Sequence, residues 1–201
     1  MNKQLPVYRL LIAEALEGVE EIEYISLVEN PAIQTDFMTF QEQFPLVFSD
    51  DDKRIITGPA MLAGVPIYRR DDRLGEYYVV FDQENVLRAA QKFLQKGYAN
   101  RVNLGHDRGQ IPQGVFIFES WVTDRDRGVL PPAGYPDAPN GSWFVSAKVN
   151  DMETWKGVKA GLFKGFSVEG FFGVDLVPQA PAPAEDNLEG VLEQIKKILE
   201  D

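Results

Sequence analysis

The chain has 201 residues, 44% of them hydrophobic, and a formal net charge of −11. That length buries a good core as one domain, or as one domain with an appendage. The charge and the lack of a basic stripe oppose nucleic acid binding; no apolar run reaches the ~18–20 residues that span a bilayer, and with no cysteine and one histidine, disulfides, thiolate zinc sites, cysteine nucleophiles and histidine-rich metal sites are excluded.

Nothing at the N-terminus resembles a signal peptide, so a cytosolic protein is expected. Val7 to Ala15 is apolar and reads as a first strand or short helix. Tyr24-Ile25-Ser26-Leu27-Val28 is a strand ended by Glu29-Asn30-Pro31. Leu46-Val47-Phe48, Arg54 to Met61 and Tyr77 to Phe81 read as further strands. Between them Asp50-Asp51-Asp52 is the obvious acidic run; with Lys53 and Arg54 following at once, it reads as a solvated loop rather than a magnesium or calcium site. Asp82 is placed to cap a helix in which Val86, Leu87, Ala90, Phe93 and Leu94 recur at helical spacing before Gly97 stops it. Val102 to Leu104 starts a strand that delivers His106 near its end, and Val115 to Val122 is the next. Gly128 to Gly141 reads as a long loop, Trp143 to Val149 as a strand, and Asp151 as the cap of a helix running to Leu162.

The stretch Gly165-Phe166-Ser167-Val168-Glu169-Gly170 alternates apolar and polar residues and reads as a strand continuing to about Val177. Residues 1–177 are thus expected to form a mostly β domain with flanking helices (α+β), of about eight strands, closed or nearly closed into a barrel. Residues 178–186 read as a Pro/Ala-rich linker. Residues 187–201 place Leu188, Leu192, Ile195 and Leu199 at 4-3-4 spacing, an amphipathic helix suited to docking or self-association.

On a strand Ser167 and Glu169 point to the same face. A serine hydroxyl is a poor nucleophile until a base takes its proton, and a neutral imidazole suits that task. His106, the only histidine in the chain, is the one imidazole that can serve. The imidazole then needs an orienting acceptor, and with no second histidine this is a carboxylate or a backbone carbonyl. Glu169 is the first candidate; Glu119, Asp107 and Glu23 are the others. Gly165 and Gly170 would let backbone amides approach an oxyanion. Residue types alone favour the plainer reading, a strand serine and a surface histidine, because a lone Ser and a lone His occur together in most proteins.

The order of segments adds a resemblance. Asn103 to His106 (Asn-x-x-His), then Glu119-Ser120-Trp121, then the helix Trp155 to Gly161 and the strand Gly165 to Gly170 together resemble the prohead (capsid maturation) proteases of tailed bacteriophages, especially their XkdF-like branch. The resemblance covers roughly residues 20–177. It implies a fold related to herpesvirus assemblin, a β-barrel serine protease, with Ser167 as nucleophile and His106 as general base. Assemblin uses a second histidine as its third member, whereas phage relatives use an acidic residue. Glu23 to Ala32 looks like a segment that follows the serine strand in many prohead proteases. Here it precedes the core, as in a circular permutation, and Tyr24 stands where those relatives carry an acid.

The implied activity is endoproteolysis of scaffold and capsid-protein segments inside the immature head, in the host cytoplasm, followed by self-cleavage, without cofactor or metal. The implied partners are the major capsid protein and scaffold, with the portal and a second copy of the chain as further partners and no nucleic acid or membrane. The competing expectations are a non-catalytic structural or capsid/portal-binding head protein that keeps the fold, and an esterase. The chain lacks the Gly-x-Ser-x-Gly elbow of the esterase class.

Overall fold

The computed structural model describes residues 5–10, 22–29, 47–48, 53–72, 75–170 and 177–179. The strands are β1 (Val7–Leu10), β2 (Ile22–Val28), β3 (Val47–Phe48), β4 (Ile55–Met61), β5 (Ile67–Asp71) and β6 (Gly75–Phe81). After helix α1 (Gln83–Gln95) and a 3-10 turn (Tyr98–Asn100) come β7 (Val102–Leu104), β8 (Val115–Val122) and β9 (Trp143–Val149). Helix α2 (Met152–Lys159), β10 (Gly165–Gly170) and β11 (Val177–Gln179) complete the order. The architecture is mostly β with two α-helices among the described residues, the α+β class expected.

Both helices begin where their sequence places a cap. The Asp82 carboxylate accepts from the Asn85 backbone N–H at 2.8 Å, and that of Asp151 from the Thr154 N–H at 2.7 Å. Helix α2 stops before Leu162 because Gly161 takes φ +72°, with its N–H on the Val158 carbonyl and the Leu162 N–H on that of Gly157. This pair of bonds is a Schellman motif, and it leaves Leu162 exposed. Strand β5 was not expected from the sequence: two apolar residues run directly into Arg69-Arg70-Asp71, too short an alternation to signal a strand.

Among the described residues three sheets carry the fold: β11-β1-β6-β5, β10-β2-β7 and β3-β4-β9-β8. They enclose one main core. Phe93 of α1 meets Trp143 of β9 edge-on at 5.5 Å, beside fully buried Ile25, Leu27, Val102, Val145, Ala147 and Val158. The loop over 128–141 is anchored by Tyr135, wholly buried against Phe144 with ring centroids 5.3 Å apart.

The expected single closed barrel is not formed by ladder hydrogen bonds: among the described residues the sheets remain three open ones. β10 nonetheless lies against β4, and β7 against β8. Strand β11 crosses the expected start of the linker at residue 178 and pairs antiparallel with β1. Residues 180–201, with the rest of that linker and the C-terminal helix, lie outside the described residues, as do Asp50-Asp51-Asp52 and the continuation of the Ser167 strand over 171–176. No helix among the described residues is long and apolar enough to cross a membrane.

Candidate functional site

The β10-β2-β7 sheet sorts its residues by the two-residue period of a strand. Ile25, Leu27, Val102, Phe166 and Val168 pack into or against the core. The alternate positions line up across the other face: Ser167 stands opposite Ser26, and Ser26 opposite Asn103. This polar row is nearly closed to solvent, with Ser26 and Asn103 0% and Ser167 3% exposed.

His106 is presented by the turn after β7. Gly105 and His106 both have positive φ (+60° and +62°), and the Asp107 N–H donates to the Leu104 carbonyl at 3.0 Å. Two consecutive central residues at positive φ are the pattern of a type I′ turn. Glycine adopts that geometry without steric cost, but a residue with a Cβ holds it at about 1–2 kcal/mol. The strained residue is therefore the candidate base. Asp107 is absorbed by the turn: its carboxylate accepts from the Gly109 N–H at 2.8 Å and from the Gln110 side chain at 2.9 Å.

The imidazole reaches back over the sheet. Its Nδ1 lies 3.0 Å from the Ser26 hydroxyl and 3.6 Å from Glu169 Oε2, so Ser26 is hydrogen-bonded and Glu169 is within ion-pair range. Among the described residues the Ser167 hydroxyl has no hydrogen-bond partner. Leaving a buried hydroxyl unpaired costs about 1–3 kcal/mol, and such orphans in a well-packed fold call for an explanation.

Glu169 is held by a cluster of donors. Its Oε1 accepts from Arg108 Nε at 2.6 Å and its Oε2 from Asn103 Nδ2 at 3.0 Å. Burial alone would raise its pKa; the Arg108 and Asn103 hydrogen bonds and the nearby positive charge outweigh burial and hold the carboxyl below the ordinary carboxylate range. The Glu169 hydrogen bond and two neighbouring carboxylates push the Arg108 guanidinium the other way, upward. Arg108 also pairs with Glu23 at 2.6 Å, so one guanidinium ties β10 to β2 through their carboxylates. A small cavity of about 50 Å³ adjoins Ser167, walled by Met61, Val65, Ile67, Phe81 and Phe166, with Arg69 among its lining residues.

Of the carboxylates considered as third member, the structure brings Glu169 to His106 and places Glu23 one residue further out, on Arg108. Glu119 is exposed on β8, beside a bulge in its pairing with β9. Two contributors were not singled out from the sequence. Ser26 alternates with Ile25 and Leu27, a signal that it turns away from the core, but only the β2–β10 register shows that it faces Ser167. Arg108, in a polar turn, carries no sequence signal at all. Among the described residues no group of three or more His, Asp or Glu is arranged to hold a metal ion.

Comparison with known proteins agrees with the segment order. Over 160 residues the chain is 26% identical to the phage-like element PBSX protein XkdF of Bacillus subtilis (strain 168). The matched part is 75% of this chain and 52% of that protein, so the chain spans about half the length of this relative. No solved structure matches the chain. Residues 45–174, well over half of the chain and containing both His106 and Ser167, match the model of one family, and the chain belongs to that family, described as "Putative phage serine protease XkdF".

Proposed function

We propose that this protein is a serine endopeptidase of phage head maturation, with Ser167 as nucleophile, His106 as general base and Glu169 as the acid beside the base. The observation that carries the proposal is the polar row itself. A buried, unpartnered Ser167 hydroxyl stands directly across the ladder from a serine that is bonded to the only imidazole of the chain. A structural serine at that depth would be expected to find a partner.

In the reaction, His106 gains a proton as the Ser167 oxygen gives up its own and attacks a peptide carbonyl, and the imidazolium later supplies a proton for the leaving amine. Glu169, kept ionised by Arg108 and Asn103, faces the imidazolium that forms. The apolar cavity beside Ser167 is suited to a small side chain of the peptide.

The proposed substrates are scaffold and capsid-protein segments, and the chain itself, inside the prohead in the host cytoplasm. The linker at 178–186 is the proposed place of self-cleavage, and the helix at 187–201 a tether to scaffold, to the portal or to a second copy. Two observations support an assemblin-like, permuted barrel. β10 lies against β4 and β7 against β8, the two junctions that would close a ring of β4, β9, β8, β7, β2 and β10. β2 is also the antiparallel neighbour of β10, the position of a strand that would directly follow the serine strand in an unpermuted chain.

The test is intact-mass spectrometry of the wild-type chain beside Ser167→Ala, each with and without co-expressed capsid protein. Fragments present in the wild type and lost in Ser167→Ala are the expected outcome. Intact chains in every sample would turn the assignment toward a structural head protein that retains the fold.

A further inference from the structure

Resting on the proposed endopeptidase function, we infer that Ser26 is a hydroxyl relay between the nucleophile and the base: the Ser167 proton passes to Ser26 Oγ as the Ser26 proton passes to His106 Nδ1. Three observations lead there. First, the hydroxyl hydrogen-bonded to the imidazole is that of Ser26, at 3.0 Å, and not that of Ser167. Second, Ser26 and Ser167 are directly opposed in an antiparallel ladder, where the Cβ atoms of such pairs stand about 4.5–5.5 Å apart. The molecule shows what such a pair can do: Thr57 and Ser146, opposed in the same way between β4 and β9, have their hydroxyl oxygens 2.9 Å apart. The relay requires a rotation about χ1 of Ser167 to make the same contact, and its hydroxyl has no other partner among the described residues that would oppose it.

Third, Glu169 approaches the same ring nitrogen as Ser26, Nδ1, at 3.6 Å. In a Ser-His-Asp triad the nucleophile and the acid take opposite nitrogens of the imidazole. Here Ser26, the hydroxyl opposed to the nucleophile, and Glu169 lie on one side, at Nδ1. A proton arriving at Nδ1 from Ser26 is thus delivered next to the carboxylate that stabilises the resulting cation.

The proton balance closes without a co-reactant. As the Ser167 oxygen bonds to the peptide carbonyl carbon, its O–H bond breaks and that proton joins Ser26 Oγ. The former Ser26 proton joins Nδ1, and the carbonyl electron pair moves to oxygen. Ser26 ends as a neutral hydroxyl and His106 as an imidazolium; as the C–N bond breaks, the Nδ1 proton passes back to Ser26 and the Ser26 proton to the leaving amine nitrogen. Ser26 gains no bond to the substrate, which separates its role from that of the nucleophile.

The test uses the full chain and a fluorophosphonate probe, with the labelled residue mapped by peptide mass spectrometry and folding checked by thermal melting. Expected are a wild-type label on Ser167, labelling slowed about 10²-fold or more in Ser26→Ala, and recovery of most of that loss in Ser26→Thr, which keeps the hydroxyl. A measurement on the wild type alone guards against variants that fail to fold. The labelling rate in mixtures of light and heavy water curves downward if two protons move together and stays linear if one does. A label on Ser26, wild-type labelling in Ser26→Ala, or a linear isotope plot overturns the relay. If the wild-type chain takes no label at all and cleaves nothing, the endopeptidase function falls and the relay with it; wild-type labelling in Ser26→Ala removes the relay alone.

Discussion

Among the described residues two pairs of Ser or Thr face each other across antiparallel ladders, and they are used differently. Thr57 and Ser146, between β4 and β9, satisfy one another at 2.9 Å beside a closed core. Ser26 and Ser167, between β2 and β10, do not: one is drawn to an imidazole and the other is left without a partner. The strand pairing is of the same kind, and all but the half-buried Thr57 are buried, so much of the difference lies in the surroundings. The first pair sits in a sheet where neighbouring hydrogen bonds are already made. The second sits beneath a turn whose backbone is held at positive φ to bring His106 over it. Unspent hydrogen-bonding capacity and stored backbone strain coincide at the second pair, as they do at sites kept for chemistry rather than for stability.

The largest effect that should separate the two regions is on activity. Glu169→Gln keeps size but removes the charge facing His106 and turns one of the two acceptor oxygens into a donor, and it is expected to slow cleavage by on the order of 10²–10⁴-fold, read from the rate of fragment formation. The same substitution makes a second readout. The Glu169 carboxyl is held below its unfolded pKa in the folded chain, so its ionised form adds stability above the ordinary carboxylate range near ~4.3. That contribution is lost as pH falls through the depressed folded value. Wild type should therefore melt above Glu169→Gln at neutral pH and converge with it in acid. A constant gap at all pH values would mean that the difference does not come from the ionised carboxylate.

Much of the frame around this site was legible in the sequence, and the reason is local. The Asp82 and Asp151 caps, the helix stop at Gly97 and the alternation in Phe166 to Glu169 are determined by residues a few positions apart. His106, Ser167 and Glu169 could be singled out because their chemistry is scarce on such a frame. What was not legible is register. Ser26 and Ser167 are far apart in sequence, and no local pattern states that they are opposed. For the same reason the role of Arg108, which depends on two carboxylates from two other strands, has no trace in its own segment. Strand β5 was missed on a different ground: its arginines belong to an edge strand, where charged residues are at home.

A smaller effect, a loss at one pair and none at the other, should appear in stability. Ser146→Ala removes one half of a made hydrogen bond and is expected to cost about 1 kcal/mol, a fall of roughly 2–4 °C in Tm, with cleavage unchanged. Ser167→Ala removes a buried hydroxyl that has no partner, so its Tm should be unchanged or higher while cleavage is abolished. Equal destabilisation by the two substitutions would show that Ser167 is an ordinary strand serine.

The smallest effect isolates the strain. His106→Ala and His106→Gly both lose the imidazole, both leave Ser26 without its partner and both should be inactive, so their comparison cancels everything but the backbone. At φ +62° alanine carries the left-handed penalty of about 1–2 kcal/mol, whereas glycine escapes it at an entropic cost of roughly 0.5–1 kcal/mol. His106→Gly should then be the more stable by about 0.5–1 kcal/mol, measured by denaturant titration. If alanine is equal or better, the turn has relaxed to negative φ once the imidazole is gone. The strain would then be imposed by the Ser26 contact itself, and the two hydroxyl pairs would differ because the histidine pulls on one of them.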